Sequence, residues 1–327
     1  MKILVNRSIL SMMTVEVRKL EGGYVNGGVW QVGEMVVKRI KSINPGVVVA
    51  DDERYWNELR IMIQSDGRLT PKLLAHCPYG RLIFMERLNG DNTRVLLKRL
   101  REIAPCLGEM GREDIETVKE RIYFGRGAFI RSWYETMRVE GGMTGTEYFT
   151  KVEGKAWRDM EIFANSGLPE AAGIDGIKIG RVLRERALPM AKAVVENYDS
   201  LIRPHGDWWS DNNIIVVKDG VVEGMRAFDA EFSDKEGGVR EEDLAQEFMW
   251  ERRRNGLEGL DMWEAFERGY GQKIDLVALM PFELFKLLDY LEGASVAEWR
   301  SEGGGRDGFW TETLRLLTEV LVELESQ

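Results

Sequence analysis

The sequence predicts an α+β chain in which a small, antiparallel, strand-rich lobe precedes a larger, mainly helical lobe. Short segments rich in β-branched residues, each bounded by turn residues, dominate the first part of the chain. Apolar residues then recur at three- and four-residue spacing, which indicates amphipathic helices, and a single hairpin interrupts them. We place the boundary so that the two lobes span residues 1–88 and 89–327.

The amino-terminal lobe begins as an antiparallel meander. Its three short, turn-bounded segments are Thr14–Leu20, Val29–Val32 and Glu34–Ile40. A helix follows, because residues 51–67 open with acidic side chains and end at a glycine. The apolar face of this helix is formed by Tyr55, Leu59 and Met62. Arg81–Leu88 then predicts a buried strand that ends the lobe.

The carboxy-terminal lobe follows Asn89–Thr93, which we predict to be a linker because of its turn-forming composition. Helical periodicity dominates from there to the end of the chain. The exception is Asn212–Phe232, where two apolar runs flank the sequence "KDG", a strong hairpin signal. The helical lobe is therefore predicted to carry one hairpin.

Composition excludes several classes of protein. The chain of 327 residues is 44% hydrophobic and 31% charged, without repeats or low-complexity tracts, and its apolar stretches are too short for a transmembrane helix. Cys77 and Cys106 are too few for a disulfide scaffold, which favours a reduced, cytoplasmic compartment. The formal net charge of −10 argues against nucleic-acid binding and mildly favours a cationic or neutral partner.

The segment "PHGDWWSDNNIIV" (Pro204–Val216) carries the strongest chemical signal. It places Asp207 and Asn212 on one short loop before an apolar strand, and Asp229 follows the second strand of the hairpin. Such carboxylate and amide oxygens suit Mg²⁺, and a phosphoryl-transfer site needs these ligands, a base, a lysine and a backbone cradle for phosphates. Lys38 and the glycines of "GGYVNGG" provide the last two parts.

Each of these features has a simpler interpretation when it is taken alone. The glycine-rich segment taken alone is typical of a flexible hairpin. Lys38 taken alone would be a solvated lysine on a strand. Only two histidines are present, so a zinc site is improbable, and no G-x-S-x-G nucleophile elbow indicates a serine hydrolase. The order of all the features together favours phosphoryl transfer.

The motifs also resemble those of a known family. "HGDWWSDN", "FDAE" and "DLA" lie in His205–Ala245, and "GGYVNGGVWQVGEMVVK" precedes them at residues 22–38. This arrangement resembles the aminoglycoside phosphotransferase and choline kinase-like family, and Ala265–Gly271 ("AFERGYG") is similar to a segment that follows "DLA" in those proteins. The resemblance covers both lobes and implies a bilobal protein-kinase-like fold. It also implies transfer of the γ-phosphoryl of ATP, with Mg²⁺, to a hydroxyl of an aminoglycoside, choline-like amino alcohol or sugar.

The resemblance implies a role for each matching residue. Asp207 would be the catalytic base, and Asn212 and Asp229 would complete the catalytic set by holding Mg²⁺ on the nucleotide phosphates. His205 would brace the loop. The cofactor-binding residues would be Gly23, Asn26, Gly27, Gly28, Lys38, Glu58, Glu86 and Leu88. Lys38 would contact the α- and β-phosphates, paired with Glu58 or with Glu53.

At the far end of the predicted nucleotide site, the backbone groups of Glu86 and Leu88 would meet the base, behind Met85. The sequence departs from the family pattern after Asp229, because "FDAE" lacks the glycine of "DFG". Glu231 is therefore a candidate third metal ligand or substrate contact.

Two features bear on the acceptor. Trp208 and Trp209 flank the implied base and could either hold an ammonium by cation–π attraction or pack into the helical lobe. Acidic residues downstream could either attract a cationic substrate or form a solvated face. They include Asp234, Glu236, Glu241, Glu242, Glu247 and Glu251.

Two alternative functions remain open from sequence. An atypical protein kinase is one, although no segment resembles the "APE" motif that ends an activation loop. The other is a nucleotide-binding regulator on the same fold that no longer catalyses transfer.

Overall fold

The computed structural model describes residues 17–20, 28–41, 50–103, 109–139, 142–171, 173–208, 212–218, 221–233, 236–253, 256–295 and 307–327. Its strands are β1 (Val17–Leu20), β2 (Gly28–Val32), β3 (Met35–Arg39), β4 (Leu73–Cys77), β5 (Leu82–Glu86), β6 (Gly90–Asn92), β7 (Asn213–Lys218) and β8 (Val221–Ala227). Its α-helices are α1 (Asp51–Ser65), α2 (Thr93–Ile103), α3 (Glu109–Thr136), α4 (Gly145–Ala164), α5 (Leu168–Ala171), α6 (Gly176–Val182), α7 (Leu188–Glu196), α8 (Glu241–Glu247), α9 (Gly256–Tyr270), α10 (Leu276–Ser295) and α11 (Asp307–Ser326).

The amino-terminal sheet has five antiparallel strands in the order β1-β2-β3-β5-β4. Its central strand β3 pairs with β2 and β5, so Lys38 lies opposite Val29 on one side and Ile83 on the other. Helix α1 packs on this sheet. Its predicted apolar face is confirmed, because the side chains that it buries against the sheet include Tyr55, Leu59 and Met62.

Strand β4 was missed by the sequence prediction. Leu73–Cys77 contains no β-branched residue, and three of its five side chains are exposed, as befits the edge strand of the sheet. The segment forms a strand because its backbone pairs with β5. That pairing depends on a partner distant in sequence, so local pattern does not reveal it.

The expected linker Asn89–Thr93 was also interpreted wrongly. Gly90–Asn92 forms strand β6, which pairs with β7 in a three-stranded sheet of order β6-β7-β8. Glycine, aspartate and asparagine disfavour strands locally, and only the tertiary pairing with β7 overrides that preference. The predicted hairpin is confirmed as β7 and β8. The predicted lobe boundary at residues 88 and 89 lies in the connection between β5 and β6.

The helical lobe is organised around close contacts between long helices. Helices α3 and α9 approach closely because Gly127 and Gly269 face the partner helix: a Cβ added at either glycine would lie 2.0 Å from Phe266 O or 1.9 Å from Phe124 O, respectively. A second apolar cluster joins α4, α10 and α11. No helix in the described parts of the chain is long and apolar enough to cross a membrane.

Candidate active site

Three elements meet at the side chain of Lys38. Its Nζ atom lies 2.5 Å from Glu58 Oε2 on α1, and it also contacts Asp229 Oδ1 in the segment after β8. Lys38 and Glu58 are almost completely buried, whereas Glu53 is exposed on the other side of α1. Of the two carboxylates that the sequence left open, Glu58 therefore forms the ion pair.

The pKa of Glu58 is raised from its ordinary value. Burial is the largest cause, and the nearby carboxylate of Asp229 acts in the same direction, while Lys38 opposes both. The charge of Lys38 therefore compensates two carboxylates at once. Neutralisation of one carboxylate leaves Lys38 paired with the other, whereas loss of Lys38 would leave two neighbouring carboxylates without their counter-ion.

The loop before β7 brings Asp207 and Asn212 together. Asn212 Nδ2 donates to the backbone oxygen of Asp207 at 2.9 Å and to its Oδ2 atom at 3.0 Å. The backbone oxygen of Asn212 in turn accepts from Phe228 N at 2.9 Å. Because Phe228 directly precedes Asp229, this hydrogen bond places the three predicted catalytic residues in one small region.

The segment that leads to Asp207 is anchored to the helical lobe by buried hydrogen bonds. The backbone N–H groups of His205 and Gly206 donate to the two carboxylate oxygens of Asp243 at 2.7 and 2.9 Å. Lys286 Nζ donates to the oxygen of Gly206 at 2.7 Å. Burial raises the pKa of Asp243 to about 7, and the two backbone donors act against that increase.

His205 connects the segment that leads to Asp207 with the segment that carries Asp229. Burial lowers the pKa of His205 to about 4, so the imidazole is neutral near pH 7. Its Nε2 atom lies 3.1 Å from Phe228 O, which can only accept, and therefore Nε2 carries the proton. This bond gives His205 the bracing geometry that the sequence implied.

Asp229 has an unusual backbone conformation. Its φ and ψ angles are 65° and 36°, in the left-handed region that costs a non-glycine residue roughly 1–2 kcal/mol. Aspartate tolerates this region better than most residues do. The conformation turns the chain sharply after β8, and the carboxylate contacts Lys38.

The donor set around Asp207 fits a magnesium ion. The described residues contain no group of three or more His, Cys, Asp or Glu side chains that could hold a metal. Asn212 and Asp229 offer one amide and one carboxylate, both hard oxygen donors. Magnesium is commonly bound by one or two protein side chains and completed by water and substrate phosphates, so these residues fit that ion and not a tetrahedral zinc site.

The predicted nucleotide-contacting residues are described in part. Gly23, Asn26 and Gly27 lie outside the described residues. Gly28 begins β2. Glu86 ends β5, and its side chain accepts from Lys72 N at 2.8 Å.

The side chain of Trp208 packs into the helical lobe. Its side chain is 1% exposed, and its ring stacks on Phe129 at a centroid distance of 5.8 Å and meets His205 edge-on at 5.5 Å. Of the two interpretations of Trp208, packing into the helical lobe is therefore confirmed, and the hypothesis that this ring holds an ammonium by cation–π attraction is wrong. Trp209 lies outside the described residues.

Most of the downstream acidic residues form hydrogen bonds or ion pairs within the helical lobe. Glu241 and Glu242 accept from Tyr198 and Tyr148, at 2.5 and 2.7 Å. Glu247 and Glu251 both pair with the buried guanidinium of Arg126. Glu236 is exposed beside Lys151, and Asp234 lies outside the described residues. Among the described members of this set only Glu236 is exposed, so this set does not form an open anionic surface.

Two side chains near Asp207 were not identified from the sequence. Gln246 on α8 donates to the Asp207 carboxylate, and Tyr290 on α10 accepts from the same amide nitrogen. Gln246 could have been found, because it follows Asp243 of the "DLA" motif by three residues and so shares a face of the helix with it. Tyr290 belongs to a helix with no motif in the sequence.

Comparisons with known proteins give structural matches only. No family model and no curated protein matches the sequence. A choline/ethanolamine kinase family protein from Mesorhizobium loti superposes with a TM-score of 0.58 and 16% identity, covering 98% of this chain and 95% of the other. An ethanolamine kinase from Plasmodium vivax gives a TM-score of 0.60 and 14% identity, covering 98% and 86% of the two chains.

The GDP complex of aminoglycoside 2'-phosphotransferase-IIIa is similar as well. It gives a TM-score of 0.54 and 15% identity, covering 97% of this chain and 96% of the other. These neighbours are the two groups of proteins that the sequence motifs resemble. The chain has the bilobal, protein-kinase-like fold that choline/ethanolamine kinases and aminoglycoside phosphotransferases share.

Proposed function

We propose that the protein is a small-molecule kinase that transfers the γ-phosphoryl of ATP, with Mg²⁺, to a hydroxyl group. The observation that carries the proposal is the convergence of Lys38, Glu58 and Asp229 next to the paired side chains of Asp207 and Asn212. The structural neighbours support it, since they include choline and ethanolamine kinases and a GDP-bound aminoglycoside phosphotransferase.

In the proposed mechanism Asp207 acts on the acceptor. Its carboxylate accepts the hydrogen bond of the acceptor hydroxyl, orients the oxygen towards the γ-phosphorus and takes the hydroxyl proton. The acceptor oxygen forms a bond to the γ-phosphorus while the bond from that phosphorus to the bridging oxygen breaks, and ADP leaves. Asn212 keeps the carboxylate in place through its hydrogen bond to Oδ2. Most of the rate enhancement then comes from positioning and charge stabilisation, as is general for phosphoryl transfer.

The residues around Lys38 act on the donor. Lys38 would contact the α- and β-phosphates, with its ammonium held by Glu58, and the chain at Gly23, Asn26, Gly27 and Gly28 would cover the phosphates. Asn212 and Asp229 would hold Mg²⁺, which when bound neutralises and orients the phosphate oxygens. Backbone groups of Glu86 and Leu88 would meet the base at the connection between the lobes.

The acceptor class that we propose is a small amino alcohol. Choline and ethanolamine kinases among the structural neighbours support this choice, and the formal net charge of −10 favours a cationic over an anionic acceptor. Aminoglycosides and sugars are the other acceptors with the required hydroxyl group.

The experiment that tests the proposal is a measurement of ADP release from Mg–ATP by the purified protein. The acceptor panel contains ethanolamine, choline, several aminoglycosides, sugars and a generic protein substrate. We expect one small molecule to stimulate release. Stimulation by the protein substrate alone would favour an atypical protein kinase. If no acceptor stimulates ADP release but ATP still raises the melting temperature of the protein, the result would favour a nucleotide-binding regulator.

A further inference from the structure

The side chain of Gln246 connects the catalytic loop to two helices of the carboxy-terminal lobe. It is completely buried, and its Nε2 atom lies 3.3 Å from Asp207 Oδ1 and 2.8 Å from the hydroxyl of Tyr290. Its Oε1 atom accepts from the backbone N–H of Trp208 at 3.0 Å. Both N–H groups and the oxygen of one amide are therefore used.

The orientation of this amide follows from its partners. The backbone N–H of Trp208 can only donate, so it must meet Oε1 of Gln246, and the opposite end of the amide must be the nitrogen. The carboxylate of Asp207 can only accept when it is ionised, which requires the same assignment. Asp207 and Trp208, which are adjacent in one loop, thus both require that the amide nitrogen of Gln246 faces the catalytic carboxylate.

Asp207 is thereby held from both sides. Asn212 donates to Oδ2 from the side of the proposed metal ligands, and Gln246 donates to Oδ1 from the helical lobe. A carboxylate oxygen has two acceptor positions, so each can receive one of these bonds and still meet an acceptor hydroxyl. The pair of amides limits the rotation of the Asp207 side chain, which determines where its oxygens lie.

Tyr290 receives the second N–H of the Gln246 amide. Its hydroxyl accepts from Nε2, and its ring packs near Trp250 at a centroid distance of 6.0 Å. Burial, and secondarily the charge of Asp207, raises the pKa of Tyr290 well above its ordinary value, so the hydroxyl keeps its proton. Gln246 consequently has a fixed, neutral partner on α10.

We propose that Gln246 is a positioning residue for the catalytic carboxylate of Asp207, and that Tyr290 sets the orientation of its amide. The inference rests on the proposed function, because it assigns Gln246 a task in the transfer reaction. The hydrogen-bond partners of Gln246 described above are Asp207, Trp208 and Tyr290, and none of these is a proposed phosphate contact or metal ligand. Its loss should therefore lower kcat and leave the KM for Mg–ATP unchanged.

The test compares Gln246→Glu with Gln246→Met and Tyr290→Phe. Glutamate keeps the oxygen that accepts from Trp208 but cannot donate to Asp207 when ionised, whereas methionine removes both interactions at similar size. The probe is the acceptor that gives the largest ADP release with the wild-type protein, beginning with ethanolamine and choline. We measure kcat, the KM for Mg–ATP and the melting temperature of each variant.

We expect Gln246→Glu and Gln246→Met both to lower kcat by roughly 100-fold with the KM for Mg–ATP within about twofold, since a small misplacement of a reacting group costs that much. Tyr290→Phe should lower kcat by several-fold with the same KM.

The inference is overturned if Gln246→Glu keeps the kcat of the wild type while Gln246→Met has a lowered melting temperature. Gln246 would then only accept the hydrogen bond of Trp208, which is a structural role. If Gln246→Glu does not fold, unchanged kcat in Tyr290→Phe overturns it. A wild-type protein without acceptor-stimulated release overturns the proposed function itself, which separates the two failures.

Discussion

The ammonium of Lys38 lies 2.5 Å from the Glu58 carboxylate and also contacts Asp229, so one cation joins β3, α1 and the segment after β8. The first two elements belong to the strand-rich lobe, and the third belongs to the helical lobe. The contact therefore joins the two lobes at the point where nucleotide phosphates are proposed to bind.

Replacement of Glu58 by glutamine should weaken nucleotide binding. The amide keeps the size of the side chain but removes one of the two charges that hold Lys38. The Asp229 carboxylate would then bind Lys38 alone and would compete with the phosphates for its ammonium. We expect the Kd for Mg–ATP to rise by about tenfold, equivalent to about 1.4 kcal/mol. Titration calorimetry measures it. Glu53→Gln, an exposed change on the same helix, is the control, and an equal effect in both variants would contradict the role of the ion pair.

Replacement of Asp229 should act through magnesium. We choose Asp229→Asn, because asparagine tolerates the left-handed backbone conformation that Asp229 adopts, whereas alanine in Asp229→Ala adds strain. The variant should fold normally and lose most of the enhancement that Mg²⁺ gives to ATP binding, with an effect of about 10- to 100-fold. ATP affinity is measured with and without Mg²⁺. A variant whose Mg²⁺ dependence equals that of the wild type would remove Asp229 from the metal site.

Gly206 should tolerate no side chain. Its φ angle is +84°, and an added Cβ would lie 2.5 Å from the backbone oxygen of Phe232, which belongs to the segment after Asp229. We expect Gly206→Ala to cost about 2–4 kcal/mol of unfolding free energy in urea. The control is Gly154→Ala on the exposed face of α4, where nothing lies within 4 Å and alanine should stabilise the helix by about 0.5–1 kcal/mol. Equal stability of the Gly206 variant and the wild type would show that the loop is placed differently.

The burial of His205 should make stability depend on pH. Its pKa of about 4 in the folded protein lies below the ordinary value of 6.5, so the unfolded chain binds more protons between these values, and stability falls as the pH falls through this window. Between pH 7 and 5 we expect the wild type to lose about 1–2 kcal/mol more than His205→Gln, which does not titrate. Urea unfolding at both pH values gives the difference. Identical losses in the two proteins would mean that His205 is accessible to protons in the folded state.

That the candidate site residues lie close together could be predicted from the sequence, because they belong to short local motifs. Asp207 and Asn212 share one loop, Asp229 ends the second strand of a hairpin with a clear turn signal, and Lys38 lies in the third strand of a meander. The order of these parts along the chain indicated a kinase-like fold, and the structure confirms that fold.

What the sequence left open depends on tertiary packing. The choice between Glu53 and Glu58 requires the rotation of α1, which is set by the apolar side chains that it buries against the sheet. The burial of Trp208 depends on its contact with Phe129 of α3, which is distant in the sequence. Gln246 and Tyr290 belong to two helices that meet only in the folded protein, so no local pattern connects them with Asp207.

The central claim is that Asp207 activates an acceptor hydroxyl for transfer of the γ-phosphoryl of ATP. Its most direct test is ³¹P NMR of the wild-type protein and Asp207→Asn, each with Mg–ATP and the stimulating acceptor. The claim predicts a new phosphomonoester signal with the wild type, a loss of roughly 100-fold or more in its rate with the variant, and the same Kd for Mg–ATP in both. Near-normal formation of the phosphomonoester by Asp207→Asn would contradict the assignment of the base.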